Sequence, residues 1–238
     1  MIAVVLAAGK GTRLKPLTDD TPKVMIPVEG KSILEYNLEN LAAAGLGDVF
    51  INLHHLPDRI RDQIGDGRRW GLRIRYSYER EILGTSGAVK NLERELAGHE
   101  FLVIYGDNFP EIDLPEFIAY SKPRPGLGTI AVFHKADVAG SGILEISAGG
   151  MVTAIKEKPG PHEIFSHWVN AGIYFFRPGI FAFIPEGRSD FAFDVFPAVI
   201  GSGQGLSAYL MPGRVWAIDS RGLLDELEEH LRSERHKT

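Results

Sequence analysis

Two short apolar segments constrain the fold of this chain more than any other feature of its sequence. Residues 2–6 (IAVVL) and 101–105 (FLVIY) contain no charged side chain, and each is followed by glycine within a few positions. Segments of this kind are typical of strands that are buried on both faces of a parallel sheet. We therefore expect a central, mostly parallel sheet.

Helices and strands alternate between these two segments. The pattern predicts, in order, a helix over 32–44, a strand over 49–53, a short helix over 58–64, a half-exposed strand over 72–77 and a helix over 85–96. Strands and helices in this order form right-handed β–α–β units. The first half of the chain is therefore predicted to be a Rossmann-like, doubly wound α/β sheet.

The sequence becomes less regular after about residue 125. Short strands are predicted over 129–134, 152–156 and 169–175, and clusters of glycine and proline separate them. A final amphipathic helix is predicted over 222–235. No linker or repeat interrupts the chain, so we expect residues 1–238 to form a single domain with a mixed sheet and inserted β-hairpins. Its two halves would be residues 1–125 and 126–238.

Charge and composition restrict the partners of the protein. The net charge is -5 and the pI is about 5.9, so no overall basic field attracts a nucleic-acid backbone. No segment approaches the ~20 apolar residues that span a bilayer, and the N-terminus has no basic region of a signal peptide. The chain has no cysteine. We expect a cytoplasmic protein that binds neither nucleic acid nor membrane; a homo-oligomer is compatible with the sequence.

The loop after the first apolar segment has the composition of a phosphate-binding site. Gly9 and Gly11 permit positive φ angles and a close approach of backbone N–H groups to a phosphate. Thr12 adds a hydroxyl group, and Arg13 and Lys23 add two cations. Because ligands bind at the carboxyl ends of strands in a doubly wound sheet, we expect a triphosphate here.

Spacing excludes two other glycine-rich motifs. The dinucleotide fingerprint requires a third glycine where this chain has Leu14, and the Walker A pattern is absent. A tight turn with incidental charges remains the simplest alternative for a bare Gly-x-Gly. A tight turn alone is a poor explanation for the spacing of Thr12, Arg13, Pro16 and Lys23.

The run from Leu6 to Thr18, with Pro22-Lys23, closely resembles the signature of sugar-phosphate nucleotidyltransferases, and of these it is most similar to mannose-1-phosphate guanylyltransferases. The resemblance implies a fold of the nucleotide-diphospho-sugar transferase type. It also implies that a nucleoside triphosphate (NTP) and a sugar 1-phosphate are joined in nucleotide-sugar biosynthesis. The nucleotide would contact Leu6, Ala8, Gly9, Gly11 and Thr12. Arg13 would hold the β- and γ-phosphates and Lys23 the α-phosphate side.

A metal site is predicted beside these phosphates. Asp107 follows the second apolar segment, and a carboxylate at that edge of the sheet suits Mg²⁺. A turn aspartate is the alternative from local sequence alone. The resemblance implies that Asp107 is a metal ligand and a catalytic residue with Arg13 and Lys23, and that Asp219 is the second ligand. After Asp219 this chain has Ser-Arg-Gly-Leu where the family usually has Ile-Gly-Thr-Pro.

Two later motifs resemble the family's sugar-phosphate pocket, Glu157-Lys158-Pro159 and Val169-Asn170-Ala171-Gly172. Glu157 would accept hydrogen bonds from sugar hydroxyls, Lys158 would pair with the phosphate as a point charge, and Asn170 would line the pocket. The resemblance also places Asn108 and Gly142 there. Residues 189–197 resemble an element that closes over the sugar.

The base is predicted to lie near Leu83-Gly84-Thr85, where glycine lets a planar ring approach the backbone. The preceding Glu79 resembles the acidic residue of guanylyltransferases. A carboxylate at this place can accept hydrogen bonds from both N1–H and the 2-amino group of guanine. GTP with mannose 1-phosphate or a similar sugar is therefore favoured. Uridylyl or thymidylyl transfer to glucose 1-phosphate or to an amino-sugar 1-phosphate remains open.

Two other functions compete with this interpretation. A cytidylyltransferase or cofactor guanylyltransferase would use a different acceptor, and the motifs around Glu157, Lys158 and Asn170 argue against it. A non-catalytic sugar-nucleotide sensor is motivated by the altered residues after Asp219. A sensor would release no pyrophosphate when the substrates and Mg²⁺ are mixed.

Overall fold

The computed structural model describes residues 1–235. The strands are β1 Ile2–Leu6, β2 Pro27–Val28, β3 Lys31–Ser32, β4 Asp48–Leu53, β5 Arg73–Tyr78, β6 Phe101–Tyr105, β7 Asn108–Pro110, β8 Gly128–His134, β9 Gly142–Ile146, β10 Val152–Glu157, β11 Trp168–Phe176, β12 Leu206–Leu210 and β13 Val215–Ala217. The α-helices are α1 Ile33–Ala43, α2 Pro57–Ile64, α3 Gly84–Lys90, α4 Glu93–Leu96, α5 Leu114–Ser121, α6 Phe196–Ser202 and α7 Arg221–Arg235.

A mixed sheet of nine strands forms the centre of the described residues, with β10, β9, β11, β6, β1, β4 and β5 side by side in that order. β8 pairs with β11 and β12. The strands β6, β1, β4 and β5 are mutually parallel. β11 runs antiparallel to β6, β8 and β9, and so joins the parallel half to the hairpins. The predicted doubly wound, mixed sheet is confirmed.

The sheet is covered on both faces, which explains why β1 and β6 are wholly apolar. Ala3 and Val5 pack in the cluster that holds residues of α1, α2 and α5. Ile2 and Val4 pack in a second cluster, with residues of α3, α4 and α6. Side chains alternate between the faces of a strand, so a strand that is buried on both faces has no polar position.

Several predicted boundaries differ from the observed ones. The strands at 2–6 and 101–105 have the predicted bounds. The single helix predicted over 85–96 is two helices, α3 and α4, with a break at Asn91 and Leu92. No helix of the part that the structure describes is both long and apolar enough to cross a membrane.

A second, two-stranded ladder positions the site. β13 pairs antiparallel with β7, and Ala217 lies opposite Asn108. Ile218 N–H also donates to the carbonyl oxygen of Asp107 at 3.2 Å. Beyond the ladder, Trp216, Ile218 and Leu227 pack in one apolar cluster with Leu14 of the loop after β1. The ladder and this cluster bring the end of the chain to the carboxyl end of β6.

Helix α1 begins with a capping box. Ser32 Oγ accepts from the backbone N–H of Glu35 at 3.2 Å, and Glu35 Oε2 accepts from the N–H of Ser32 at 2.9 Å. The first N–H groups of a helix have no partner within the helix, so side-chain acceptors stabilise its start. The cap fixes the start of α1, whose residues Leu34, Leu38 and Leu41 pack in the core.

We expect Ser32→Ala to lower the free energy of unfolding by about 1 kcal/mol, because the helix loses its cap. Urea denaturation followed by circular dichroism measures this change. Ser202→Ala is the matched control: it also removes a hydroxyl group, but from an exposed position at the end of α6. The control should remain within about 0.5 kcal/mol of the unmodified protein. Equal losses in both variants would contradict the role of the capping box.

Candidate active site

One cavity of about 1210 Å³ lies along the carboxyl-terminal edge of the parallel strands, where ligands bind in sheets of this type. The structure brings most of the predicted residues onto its wall, namely Gly9, Gly11, Thr12, Arg13, Lys23, Thr85, Asp107, Asn108, Gly142, Glu157, Lys158, Asn170 and Asp219. Leu6, Ala8, Glu79 and Gly84, which were also predicted to contact the nucleotide, are not on this wall.

The loop after β1 is held rigidly below the cavity. Gly11 has a φ angle of 61°, which favours glycine, and it starts a 3-10 turn over Thr12–Leu14. Thr18 Oγ1 donates to the carbonyl oxygen of Gly11 at 2.9 Å. Leu14 is buried, whereas the side chain of Arg13 is 70% exposed. The turn therefore anchors the loop and places the exposed Arg13 side chain on the cavity wall.

Two carboxylates meet on one ammonium group at the centre of this end of the cavity. Lys23 Nζ lies 2.5 Å from Asp107 Oδ2 and 2.5 Å from Asp219 Oδ1. Arg13 Nη2 lies 2.8 Å from the same oxygen of Asp219. The Lys23 side chain is only 8% exposed. The two cations and two carboxylates balance in charge, so this cluster, in which only Lys23 is buried, is electrically neutral.

The pKa values of this cluster follow from burial and from ion pairing. Burial opposes the charge of Lys23, but Asp107 and Asp219 outweigh it, so the pKa of Lys23 is raised. Burial likewise opposes the charge of Asp219, but Lys23 and Arg13 outweigh it and lower its pKa. Both groups are therefore charged at neutral pH.

The donor set suits a divalent metal ion. Asp107 and Asp219 converge on a single cation, the ammonium of Lys23, despite the altered residues that follow Asp219. Across residues 1–235 no group of three or more metal-ligating side chains is present. A pair of carboxylate oxygens fits Mg²⁺, which keeps several waters and completes its octahedron with substrate phosphates. The predicted metal ligands therefore fit the ion that they were assigned.

The other end of the cavity carries Glu157, Lys158 and Asn170. Burial raises the pKa of Glu157; Lys158 lowers it and Asp190 raises it further, with a net upward shift. Asn170 Nδ2 donates to Tyr174 Oη at 2.8 Å, and Asn170 Oδ1 accepts from the N–H of Gly172 at 3.0 Å. β11 has a bulge between Asn170 and Tyr174. The bulge separates the residues of β11 that pair with β9 from those that pair with β6, and it orients the amide of Asn170.

Glu79 has a different environment from the predicted one. Glu79 is only 3% exposed. Glu79 Oε1 accepts from Asn52 Nδ2 at 2.7 Å, and Oε2 accepts from the N–H of Leu83 at 2.9 Å. Asn52 Oδ1 in turn accepts from the N–H of Ala7 at 2.6 Å. The carboxylate that was expected to face the base is therefore paired within the protein, and it ties the first loop to the start of α3.

Three positions near the site are not among the individual site residues that the sequence predicts. Asn52 is a polar residue in an otherwise apolar strand, and that exception was a usable signal. Tyr105 and Asp190 both line the cavity. Tyr105 does not stand out locally, because it is the last residue of an apolar strand, whereas Asp190 lies in the segment 189–197 that resembles an element closing over the sugar.

A family profile described as "Nucleotidyl transferase" matches residues 2–219, which include both Asp107 and Asp219. The chain belongs to the nucleotidyl transferase family. It is 33% identical over 217 residues to the UTP–glucose-1-phosphate uridylyltransferase of Synechocystis sp., covering 85% of this chain and 56% of that protein. It is 33% identical over 202 residues to the mannose-1-phosphate guanylyltransferase of Mycobacterium tuberculosis, covering 84% and 56%.

A solved structure of similar fold is HddC from Yersinia pseudotuberculosis in complex with GMP-PN. It has a TM-score of 0.81 and 28% identity, and the match covers 97% of this chain and 99% of that one. The nucleotidyl transferase described here spans a little over half the length of the curated relatives that it matches.

Lys158 adopts a φ angle of 48°, a strained conformation for a residue with a side chain. We expect Lys158→Gly to raise the free energy of unfolding by up to about 1 kcal/mol, because glycine adopts this conformation without strain. Lys156→Gly, at a regular position in β10, should instead lower it by about 0.5–1 kcal/mol. Urea denaturation of both variants measures the contrast, and a destabilised Lys158→Gly would contradict it.

Proposed function

We propose that this chain transfers a nucleotidyl group from a nucleoside triphosphate to a sugar 1-phosphate and releases pyrophosphate. The observation that carries the proposal is the division of one cavity into two differently equipped ends. Arg13, Lys23 and two carboxylates occupy one end, and the Glu157–Lys158 pair with Asn170 occupies the other. A cavity that carries cations on separate segments suits a reaction between two phosphorylated substrates.

The ion pairs at the nucleotide end supply the groups that the reaction needs. Arg13 and Lys23 are paired with Asp219, and Lys23 also with Asp107. Asp107 and Asp219 would hold a bound metal ion, and Arg13 and Lys23 would then pair with the phosphates of the triphosphate. A bound Mg²⁺ would neutralise the phosphate oxygens and orient them. The exchange keeps every charge in the site paired.

The chemistry is an in-line displacement. A phosphate oxygen of the sugar 1-phosphate attacks the α-phosphorus, the bond to the β-phosphate oxygen breaks, and pyrophosphate leaves. The attacking oxygen is already anionic, so no protein nucleophile is required. Lys158 positions the sugar phosphate, Lys23 the α-phosphate, and Arg13 the leaving group. Catalysis would then consist of positioning and charge neutralisation.

Guanylyl transfer to mannose 1-phosphate or a similar sugar is the favoured specificity. The acidic run before Leu83-Gly84-Thr85, the mannose-1-phosphate guanylyltransferase of M. tuberculosis and the GMP-PN complex of HddC support it. Each oxygen of Glu79 accepts one internal hydrogen bond and retains acceptor capacity for a contact with guanine. Uridylyl transfer to glucose 1-phosphate is the alternative, supported by the equal identity to the Synechocystis uridylyltransferase.

A substrate panel tests the proposal. Four ribonucleoside triphosphates and dTTP are each combined with Mg²⁺ and several sugar 1-phosphates, and pyrophosphate release is measured. We expect the highest kcat/KM for GTP with mannose 1-phosphate or a close relative. A higher value for UTP or dTTP would reassign the base. No release with any pair would indicate a binding protein that senses sugar nucleotides.

We expect Arg13→Ala to lower turnover by at least about 100-fold, because the β- and γ-phosphates lose a charge-paired donor in the transition state. Since the side chain is 70% exposed, the melting temperature should change little. Lys10→Ala is the matched control, a cation of the same loop that does not line the cavity. Near-normal turnover in the Arg13 variant, or an equal loss in the control, would argue against the assignment.

Asp219→Asn tests the second metal ligand. We expect the Mg²⁺ concentration for half-maximal activity to rise by at least about 10-fold, since loss of a ligand charge weakens binding of a divalent cation. Direct titration with Mn²⁺ in the presence of nucleotide, followed by electron paramagnetic resonance, provides a second measurement. Asp225→Asn, which removes an exposed carboxylate of α7, is the control. An unchanged metal affinity in Asp219→Asn would remove this residue from the site.

A further inference from the structure

Helix α1 carries one buried polar side chain, Asn37, which is 2% exposed. The other buried residues of this helix are all apolar, namely Ile33, Leu34, Leu38 and Leu41. Asparagine forms helices less readily than leucine, and it does not match the apolar face of a core helix. A polar exception among these positions calls for a polar partner. That partner is the turn that carries Asp107.

The amide group of Asn37 faces the backbone on both sides of Asp107. Its Nδ2 donates to Asn108 O at 2.9 Å and makes a longer contact with Gly106 O at 3.4 Å. A third acceptor is Ile33 O of the same helix, at 3.1 Å. These acceptors fix the orientation of the amide, because the reversed amide would place its oxygen against three carbonyl oxygens. The donor nitrogen therefore faces the turn after β6.

The oxygen of the same amide has no partner in the part of the chain that the structure describes. Asn37 Oδ1 is buried there and accepts no hydrogen bond. A buried polar atom without a partner lowers stability, and leucine, which has a similar size, would avoid this loss. Local features that lower stability are expected chiefly at functional sites. The unpaired oxygen thus points to a task for the nitrogen on the other side of the amide.

Two further segments hold the same turn. Gly106 N–H donates to Leu6 O at 2.9 Å, and a Cβ on this glycine would also lie only 2.9 Å from that oxygen. Asp107 O accepts from Ile218 N–H at 3.2 Å. Together with Asn37, these contacts engage the carbonyl oxygens of three successive residues. The backbone of the turn is therefore fixed from outside, and with it the direction of the Asp107 side chain.

We propose that Asn37 is a positioning residue, which holds the turn 106–108 so that the carboxylate of Asp107 faces the metal–triphosphate complex. This inference rests on the function proposed above and adds a residue that acts through Asp107. Asn37 does not line the cavity, so it contacts no substrate. Without its donor, two buried carbonyl groups of the turn lose a partner, and the turn shifts. Such a shift weakens metal binding and leaves the sugar end of the cavity unchanged.

Asn37→Leu removes the donor, and the unpaired oxygen with it, at nearly constant volume. We expect the affinity for Mn²⁺ in the presence of GTP, followed by electron paramagnetic resonance, to fall by about 10- to 100-fold. The Mg²⁺ concentration for half-maximal activity should rise by a similar factor, whereas the KM for the sugar 1-phosphate stays close to that of the unmodified chain. A residue that only stabilised the helix would lower the melting temperature and leave the metal affinity unchanged.

Thr129→Val is the matched control. Thr129 Oγ1 is likewise buried without a partner within the described residues, and the residue lies off the cavity wall. This variant also replaces a buried polar side chain by an apolar one of similar size, and its metal affinity should not change. If Asn37→Leu does not fold, Asn37→Ala, which removes the same donor without adding bulk, is measured in its place.

A double-mutant cycle shows whether Asn37 acts through Asp107. Asp107→Asn alone weakens the binding of Mn²⁺, because a ligand charge is lost. Once that charge is gone, the position of the side chain matters less. Adding Asn37→Leu to Asp107→Asn should therefore weaken Mn²⁺ binding by less than about 3-fold further. Two independent residues would instead give losses that multiply.

The outcomes separate this inference from the function on which it rests. A loss of metal affinity in Asn37→Leu that largely disappears in the Asp107→Asn background supports the positioning role. Unchanged metal affinity in Asn37→Leu, an equal loss in Thr129→Val, or losses that multiply in the double variant overturn it while the proposed function stands. If the unmodified chain releases no pyrophosphate with any substrate pair, the proposed function fails. Mn²⁺ binding, which needs no turnover, then still decides whether Asn37 positions Asp107.

Discussion

The ion-pair cluster around Lys23 connects the parts of this molecule that make the site. Lys23 contacts carboxylates that are 84 and 196 positions away in sequence. A buried ammonium is stable only when opposite charges surround it, so this contact requires the first loop, the end of β6 and the last segment to meet. In the proposed function, the same groups would bind a metal–triphosphate complex. The contact would then serve the fold without ligand and the proposed chemistry with it.

The cavity walls are fixed to different degrees, and this difference matches their proposed roles. The nucleotide end is held by the buried Leu14 and by the link from Ala7 through Asn52 to Glu79. Arg13 and Lys158 are exposed; Arg13 is ion-paired with Asp219, and Lys158 has a strained backbone. At the sugar end, polar contacts hold Asn170 before a ligand arrives. Acceptors that are oriented in advance lose less entropy on binding.

Much of the central fold could be predicted because local pattern and tertiary burial agree there. β1 and β6 are buried on both faces, so their apolar runs have sharp ends that a sequence reveals. The break between α3 and α4 and the β7–β13 ladder could not be predicted in this way. Neither Asn91 nor Leu92 is a glycine or proline that would stop a helix. β7 and β13 have three residues each, which is too short for a periodic signal.

By itself, the sequence predicted a phosphate-binding loop and the position of Asp107 and determined the family, because short motifs with fixed spacing encode local backbone geometry. The tertiary structure decided that Asp219 reaches Lys23 despite its unusual neighbours, that Glu79 is paired inside the protein, and that Asp190 meets Thr85 from 105 positions away. Such contacts depend on how sheet and hairpins pack together, and packing between distant segments leaves no local pattern in the chain.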